Sequence, residues 1–143
     1  MSLRVIRTDW STHGKSLLAI RHAVFVEEQG VPLALEHDEH DADALHLLAL
    51  SGSGQPVGTA RMLADAHIGR MAVLADYRGQ GIGTALLREM LRLAREQHIG
   101  SPFLHAQCVA IGFYERLGFV AEGPEFLDAG IPQAAVDLPI ELL

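Results

Sequence analysis

Three glycines on alternate positions, Gly79, Gly81 and Gly83, stand where an apolar run gives way to a long helical pattern. Glycine lets a backbone approach a ligand closely and take positive φ. A helix beginning there aims its first amides, and the positive end of its dipole, at the same space. Arg78 heads the turn and adds a charged donor. The arrangement suits a diphosphate, with a plain flexible turn as the alternative. A dinucleotide site would need Gly-x-Gly-x-x-Gly, and spacing 79, 81, 83 does not supply its third glycine. A phosphate-binding loop would need Gly-Lys-Ser/Thr, which is absent.

Two further groups could carry chemistry. His37-Asp38-Glu39-His40-Asp41 combines imidazoles with carboxylates. It reads as a solvated acidic loop first, then as a rim for a cationic substrate, and last as a metal cluster. No Cys pair or His-Glu-x-x-His accompanies it. Cys108 falls between a strand-like and a helix-like segment, where a helix dipole lowers a thiol pKa and would allow a covalent route.

These residues need elements to position them. Leu3 to Arg7 alternates as a short strand, and Asp9, Ser11 and Thr12 can cap a helix over about Lys15 to Val26. Gly30-Val31-Pro32 ends it. Leu45–Leu50 and Pro56–Leu63 form a hairpin around Ser51-Gly52-Ser53-Gly54, and Ile68–Leu74 is a third strand. From Gly81 to about His98 the stripe Ile82, Leu86, Met90, Leu93 predicts a helix, with Arg88, Arg92 and Arg95 opposite. Phe103–Gln107 predicts a strand and Val109–Leu117 a helix stopped by Gly118, with two closing strands after Phe119. His46 and His67 fall on strands as ordinary side chains. The order is that of a mixed α/β fold, with no repeats or linker, so one domain over residues 1–143 is expected.

Composition narrows the class. At 49% hydrophobic and 20% charged, the chain can bury a core. No apolar run approaches the roughly 20 residues that span a bilayer. Eleven basic against eighteen acidic residues leave no basic face for nucleic acid. The acidic balance favours a cationic partner, and a lone cysteine suits a reducing, cytoplasmic setting. An exposed terminal strand suits a homodimer.

Arg78-Gly79-Gln80-Gly81-Ile82-Gly83 resembles the Arg/Gln-x-x-Gly-x-Gly/Ala signature of the GNAT superfamily of acetyl-CoA-dependent N-acetyltransferases. Ala110 to Phe119, containing Phe113-Tyr114 and Gly118-Phe119, resembles its second hallmark, Phe-Tyr-x-x-x-Gly-Phe. Across nearly the whole chain, Val24 to Pro32, Asp38 to Asp41 and Leu104-His105-Ala106-Gln107 are similar to the small ElaA-type branch. The resemblance implies a central, mostly antiparallel, splayed β-sheet flanked by helices, with acetyl-CoA as cosubstrate and no metal. It implies that Met71, Ala72 and Val73 pair with the pantetheine arm. It also implies that Arg78, Gly79, Gln80, Gly81, Gly83 and Thr84 bind the diphosphate. Gln107 stands where many members carry an Asn that contacts the arm. Tyr114 would protonate the departing thiolate.

Transfer to an amine also needs oxyanion stabilisation, expected near the Val73 N–H, and a general base. Glu27, Glu28, His37, Asp38 and His105 are the candidates, with Glu28 first and His105 second. Direct transfer within a ternary complex is the expectation. The alternative is a non-catalytic acyl-CoA-binding sensor, which would keep the glycine turn and need no base.

Overall fold

The computed structural model describes residues 3–36 and 38–138, so the base candidate His37 lies outside the described residues. Strand β1, Arg4–Thr8, leads into helix α1, Trp10–Arg21. Asp9 caps it, accepting from the Thr12 amide at 2.8 Å, so the helix starts five residues before the expected Lys15. Gly14 hid this start, since glycine weakens a helical pattern. It belongs there because a Cβ at 14 would lie 3.3 Å from the Trp10 ring. The chain then continues as a π-helical turn, His22–Glu28.

A short turn of helix, α2 (Leu33–Glu36), precedes three antiparallel strands: β2 (Leu45–Leu50), β3 (Pro56–Met62) and β4 (His67–Val73). Helix α3 (Ile82–Glu96) and strand β5 (Phe103–Gln107) follow. The expected second-motif helix is shorter: α4 covers Ile111–Glu115 after a 3-10 turn at Cys108–Ala110. Strands β6 (Val120–Asp128) and β7 (Ile131–Asp137) close the sheet, whose order is β1-β2-β3-β4-β5-β7-β6.

The two faces bury separate cores. On one, Ile82, Leu86, Leu87, Met90 and Leu93 of α3 pack with Leu47, Ile68, Leu104 and Val136. On the other, Leu17, Ile20 and Val24 pack with Leu48, Leu50 and Ala72. Each such aliphatic side chain, taken fully out of water, contributes about 1.5–3 kcal/mol. This two-sided burial explains why β2 reads as a continuous apolar run rather than an alternating one.

All neighbouring strands are antiparallel except β4 and β5. These two pair only at His67↔Phe103 and Ile68↔Leu104, then diverge. A bulge helps drive them apart. Between Thr59↔Ala72 and Arg61↔Gly69, β4 carries one more residue than β3, and Arg70 sits there at φ +49. The sheet is thus split on its open side into two arms.

The acidic stretch differs from the solvated loop expected of it. Asp38–Ala42 folds as a capped 3-10 turn, and Asp41 (0% exposed) and Glu36 (2%) are buried. Their partners are arginines distant in sequence. Arg21, itself 0% exposed, forks onto Asp41 at 2.8 and 3.0 Å and also bonds Glu36. Arg61 forks onto Asp38 at 2.7 and 3.0 Å and reaches Asp41 at 3.0 Å. Arg70 bonds the Glu36 carbonyl at 3.0 Å and Asp38 at 3.2 Å. A buried carboxylate is tolerable only when so paired. Among the described residues no helix is long and apolar enough to cross a membrane.

Candidate active site

Where β4 and β5 part, a cleft of about 670 Å³ runs through the sheet. Its walls bring together sequence segments that lie as much as a hundred residues apart. Met71, Ala72 and Val73 line it from β4, and Arg78, Gly79, Gly81, Gly83 and Thr84 from the glycine turn. Tyr114 lines it from α4, and His105 and Gln107 from β5. Gln80 lies in the same turn but is not among the lining residues.

The glycine turn has the properties an anion needs. Gly79 and Gly81 adopt φ +77 and +83, and nothing lies within 4 Å of a Cβ built on either. Gly81 is the N-cap of α3 and supplies no side-chain cap. The first amides of a 15-residue helix therefore point outward at the positive end of its dipole. At Gly83 a Cβ would meet the Phe113 ring at 3.5 Å, so glycine also permits close packing of α3 on α4. The residues present fit a diphosphate.

Beside the turn, β4 offers backbone groups. Leu74 donates to the Val57 carbonyl across β3, so alternation turns the N–H and C=O of Val73 away from β3 toward the gap. Its carbonyl takes the Arg78 Nε at 2.9 Å. The Val73 N–H is left facing the cleft.

Tyr114 lies across from β4, its hydroxyl donating to the Met71 sulfur at 3.9 Å. Burial pushes its pKa up to about 12, so the phenol is protonated throughout the neutral range. A thioether is a weak acceptor, so a better one entering the cleft can take this proton donor.

The opposite bank is the face of β5 that carries Phe103, His105 and Gln107, since Leu104 and Ala106 turn into the core. The exposed His105 ring lies 4.6 Å from that of His67 and meets Phe126 edge-on at 5.1 Å. Burial first, then the proximity of His105, holds His67 below the usual histidine pKa. His67, by its sequence position an ordinary strand side chain, lines the cleft.

The remaining base candidates are otherwise engaged. Glu28 forks onto Arg78 at 2.9 and 2.7 Å, and this hydrogen bonding lowers its pKa. Asp38 is held by Arg61 and Arg70; burial raises its pKa, and the arginines more than offset that. Glu27 sits 3.5 Å from the His22 ring. Cys108 is not among the lining residues, and burial, with Glu125 adding to it, pushes its thiol up rather than down as the sequence suggested. Sequence reasoning missed Glu36, Arg61 and Arg70 as cleft walls, together with the β6–β7 hairpin residues Asp128, Ile131 and Gln133. An arginine among the otherwise uncharged residues of β3 was the available signal for a buried ion pair.

A split sheet with a helix N-terminus aimed into the split defines an acyl-coenzyme A transferase architecture. The model of the acetyltransferase (GNAT) domain matches residues 8–137, and the chain belongs to this family. A Bacillus subtilis relative, provisionally named an acetyltransferase, is 40% identical over 138 residues, covering 92% of each chain. Among solved structures, an acyl-CoA N-acyltransferase from Pseudomonas aeruginosa superposes with TM-score 0.86 at 30% identity, covering 96% of this chain and 100% of that one. Escherichia coli ElaA superposes with TM-score 0.84 at 26% identity, over 95% and 99% of the two chains. The protein is an acyltransferase that uses an acyl-CoA such as acetyl-CoA as cosubstrate.

Proposed function

We propose that residues 1–143 form a single N-acetyltransferase domain that moves an acetyl group from acetyl-CoA directly to a primary amine within a ternary complex. The observation that carries this reading is that a protonated phenol, Tyr114, and an exposed imidazole, His105, both line one cleft. The thioester supplies the acetyl group; its C–S bond breaks as the amine N–C bond forms. Tyr114 gives its proton to the departing sulfur. His105 takes the proton that the attacking ammonium must lose. The Val73 N–H is oriented to receive the carbonyl oxygen as it gains charge. Of the two leading base candidates, His105 is favoured because it lines the cleft, whereas Glu28 is not among the lining residues.

A positively charged acceptor, a small molecule or a basic peptide, fits the hairpin. Residues 118–138 contain Glu122, Glu125, Asp128 and Asp137 and no Lys, Arg or His. β6 is also an edge strand exposed throughout, which supports a homodimer.

The test is a screen of metabolite and peptide amines with acetyl-CoA, scored by free-thiol release. Tyr114→Phe should lower kcat on the best amine by about 100-fold and leave coenzyme binding unchanged. Full activity of that variant would refute the acid role, and absence of thiol release with every amine would refute the amine acceptor.

A further inference from the structure

Two consecutive residues at the end of the π-helical turn bind residues on opposite sides of the cleft. Glu28 forks onto the two terminal nitrogens of Arg78, at 2.9 and 2.7 Å. Gln29 exchanges two amide hydrogen bonds with Gln107 at the end of β5, at 2.8 and 3.3 Å. Arg78 belongs to the glycine turn and Gln107 to the position where the pantetheine arm is expected. The straps therefore bridge both ends of the slot the coenzyme would occupy. π-Helical turns widen the backbone by one residue and often mark functional sites; here the turn ends on these two side chains.

Both contacts use chemistry that the coenzyme itself carries. A diphosphate accepts the same forked pair of N–H bonds from arginine as a carboxylate does, with more charge. The two secondary amides of a pantetheine arm can replace a Gln carboxamide as partners of Gln107. Arg78 keeps its Nε on the Val73 carbonyl, so losing Glu28 would leave the guanidinium anchored and its fork open. The pair is exposed, with 39% and 45% of the two side chains accessible, and exposed pairs are weak enough to exchange.

We propose that Glu28 and Gln29 are positioning residues that strap the coenzyme slot in the free enzyme. The coenzyme's diphosphate replaces Glu28 on Arg78 and its pantetheine arm replaces Gln29 on Gln107. The end of the π-helical turn is then freed from the glycine turn and from β5 only once the coenzyme is seated. The proposal rests on the coenzyme-binding reading of the cleft.

Calorimetry on the intact chain tests it with coenzyme A, and with pantetheine as the probe lacking the diphosphate. Glu28→Gln removes a competing anion, so coenzyme A should bind about 2- to 5-fold tighter. Pantetheine should respond alike, or not at all, in both proteins. A structural role for Glu28 in shaping the site predicts the opposite sign. Unchanged or weaker binding of coenzyme A by Glu28→Gln overturns the proposal, as does equal tightening for pantetheine. If wild type itself fails to bind coenzyme A, the cofactor reading fails instead, so the two failures are distinguishable.

Discussion

Arg21 and Arg78 each hold a carboxylate with a forked pair of hydrogen bonds, and both lie close to the same cleft. Arg21 and Asp41 are shut away from water, while Arg78 and Glu28 stand open to it. In the buried pair neither ion can regain solvent without unfolding the loop that covers it, so removing one partner strands the other. In the open pair water and other anions compete on nearly equal terms. The same bond thus fixes architecture in one place and is exchangeable in the other. Arg21 ties α1 to the loop that carries Glu36 and Asp41, and its guanidinium also lies 5.4 Å from the Trp10 ring centre. That tie anchors the end of α1, from which the π-helical turn continues.

The contrast can be broken most sharply by Arg21→Ala. It should cost about 3–5 kcal/mol of unfolding free energy, whereas Glu28→Gln should stay within about 1 kcal/mol of wild type. Urea denaturation measures both. Equal losses would contradict the distinction drawn from burial.

A smaller effect sharpens the same comparison through pH. Burial raises the Asp41 pKa, but Arg21 and Arg61 more than reverse this and bring it from 3.8 to about 2. Because the folded value is the lower one, the stabilisation is complete above the unfolded pKa and is lost as pH falls from about 4 to about 2. The loss is on the order of 2 kcal/mol. Unfolding free energies of wild type and Asp41→Asn should therefore converge over that interval, and parallel curves would count against the assignment.

Much of the glycine-turn side of the cleft was legible because its signals are local. Gly79, Gly81 and Gly83 lie within five residues of one another, and the stripe from Ile82 to Leu93 shows the helix that follows. The strand Phe103–Gln107 appears with its predicted bounds. The side of the cleft formed by Glu36, Arg61 and Arg70 was less legible because it is made by distance. Asp38 and Asp41 look solvated until Arg21, Arg61 and Arg70 are brought to them by three different elements. The π-helical turn has no 3.6-residue signature, so nothing in the spacing of His22–Glu28 announced that Glu28 and Gln29 would face Arg78 and Gln107. Nor does any single residue type reveal the bulge at Arg70, since its φ of +49 follows from the register of β3 against β4.

The proposed transfer depends on main-chain amides at residues 79–84 receiving a diphosphate. Calorimetric titration of coenzyme A into the wild-type chain tests this most directly. Saturable binding at one coenzyme per chain, markedly tighter than that of pantetheine, is the predicted result. No saturable binding, or equal affinity for pantetheine, would contradict it.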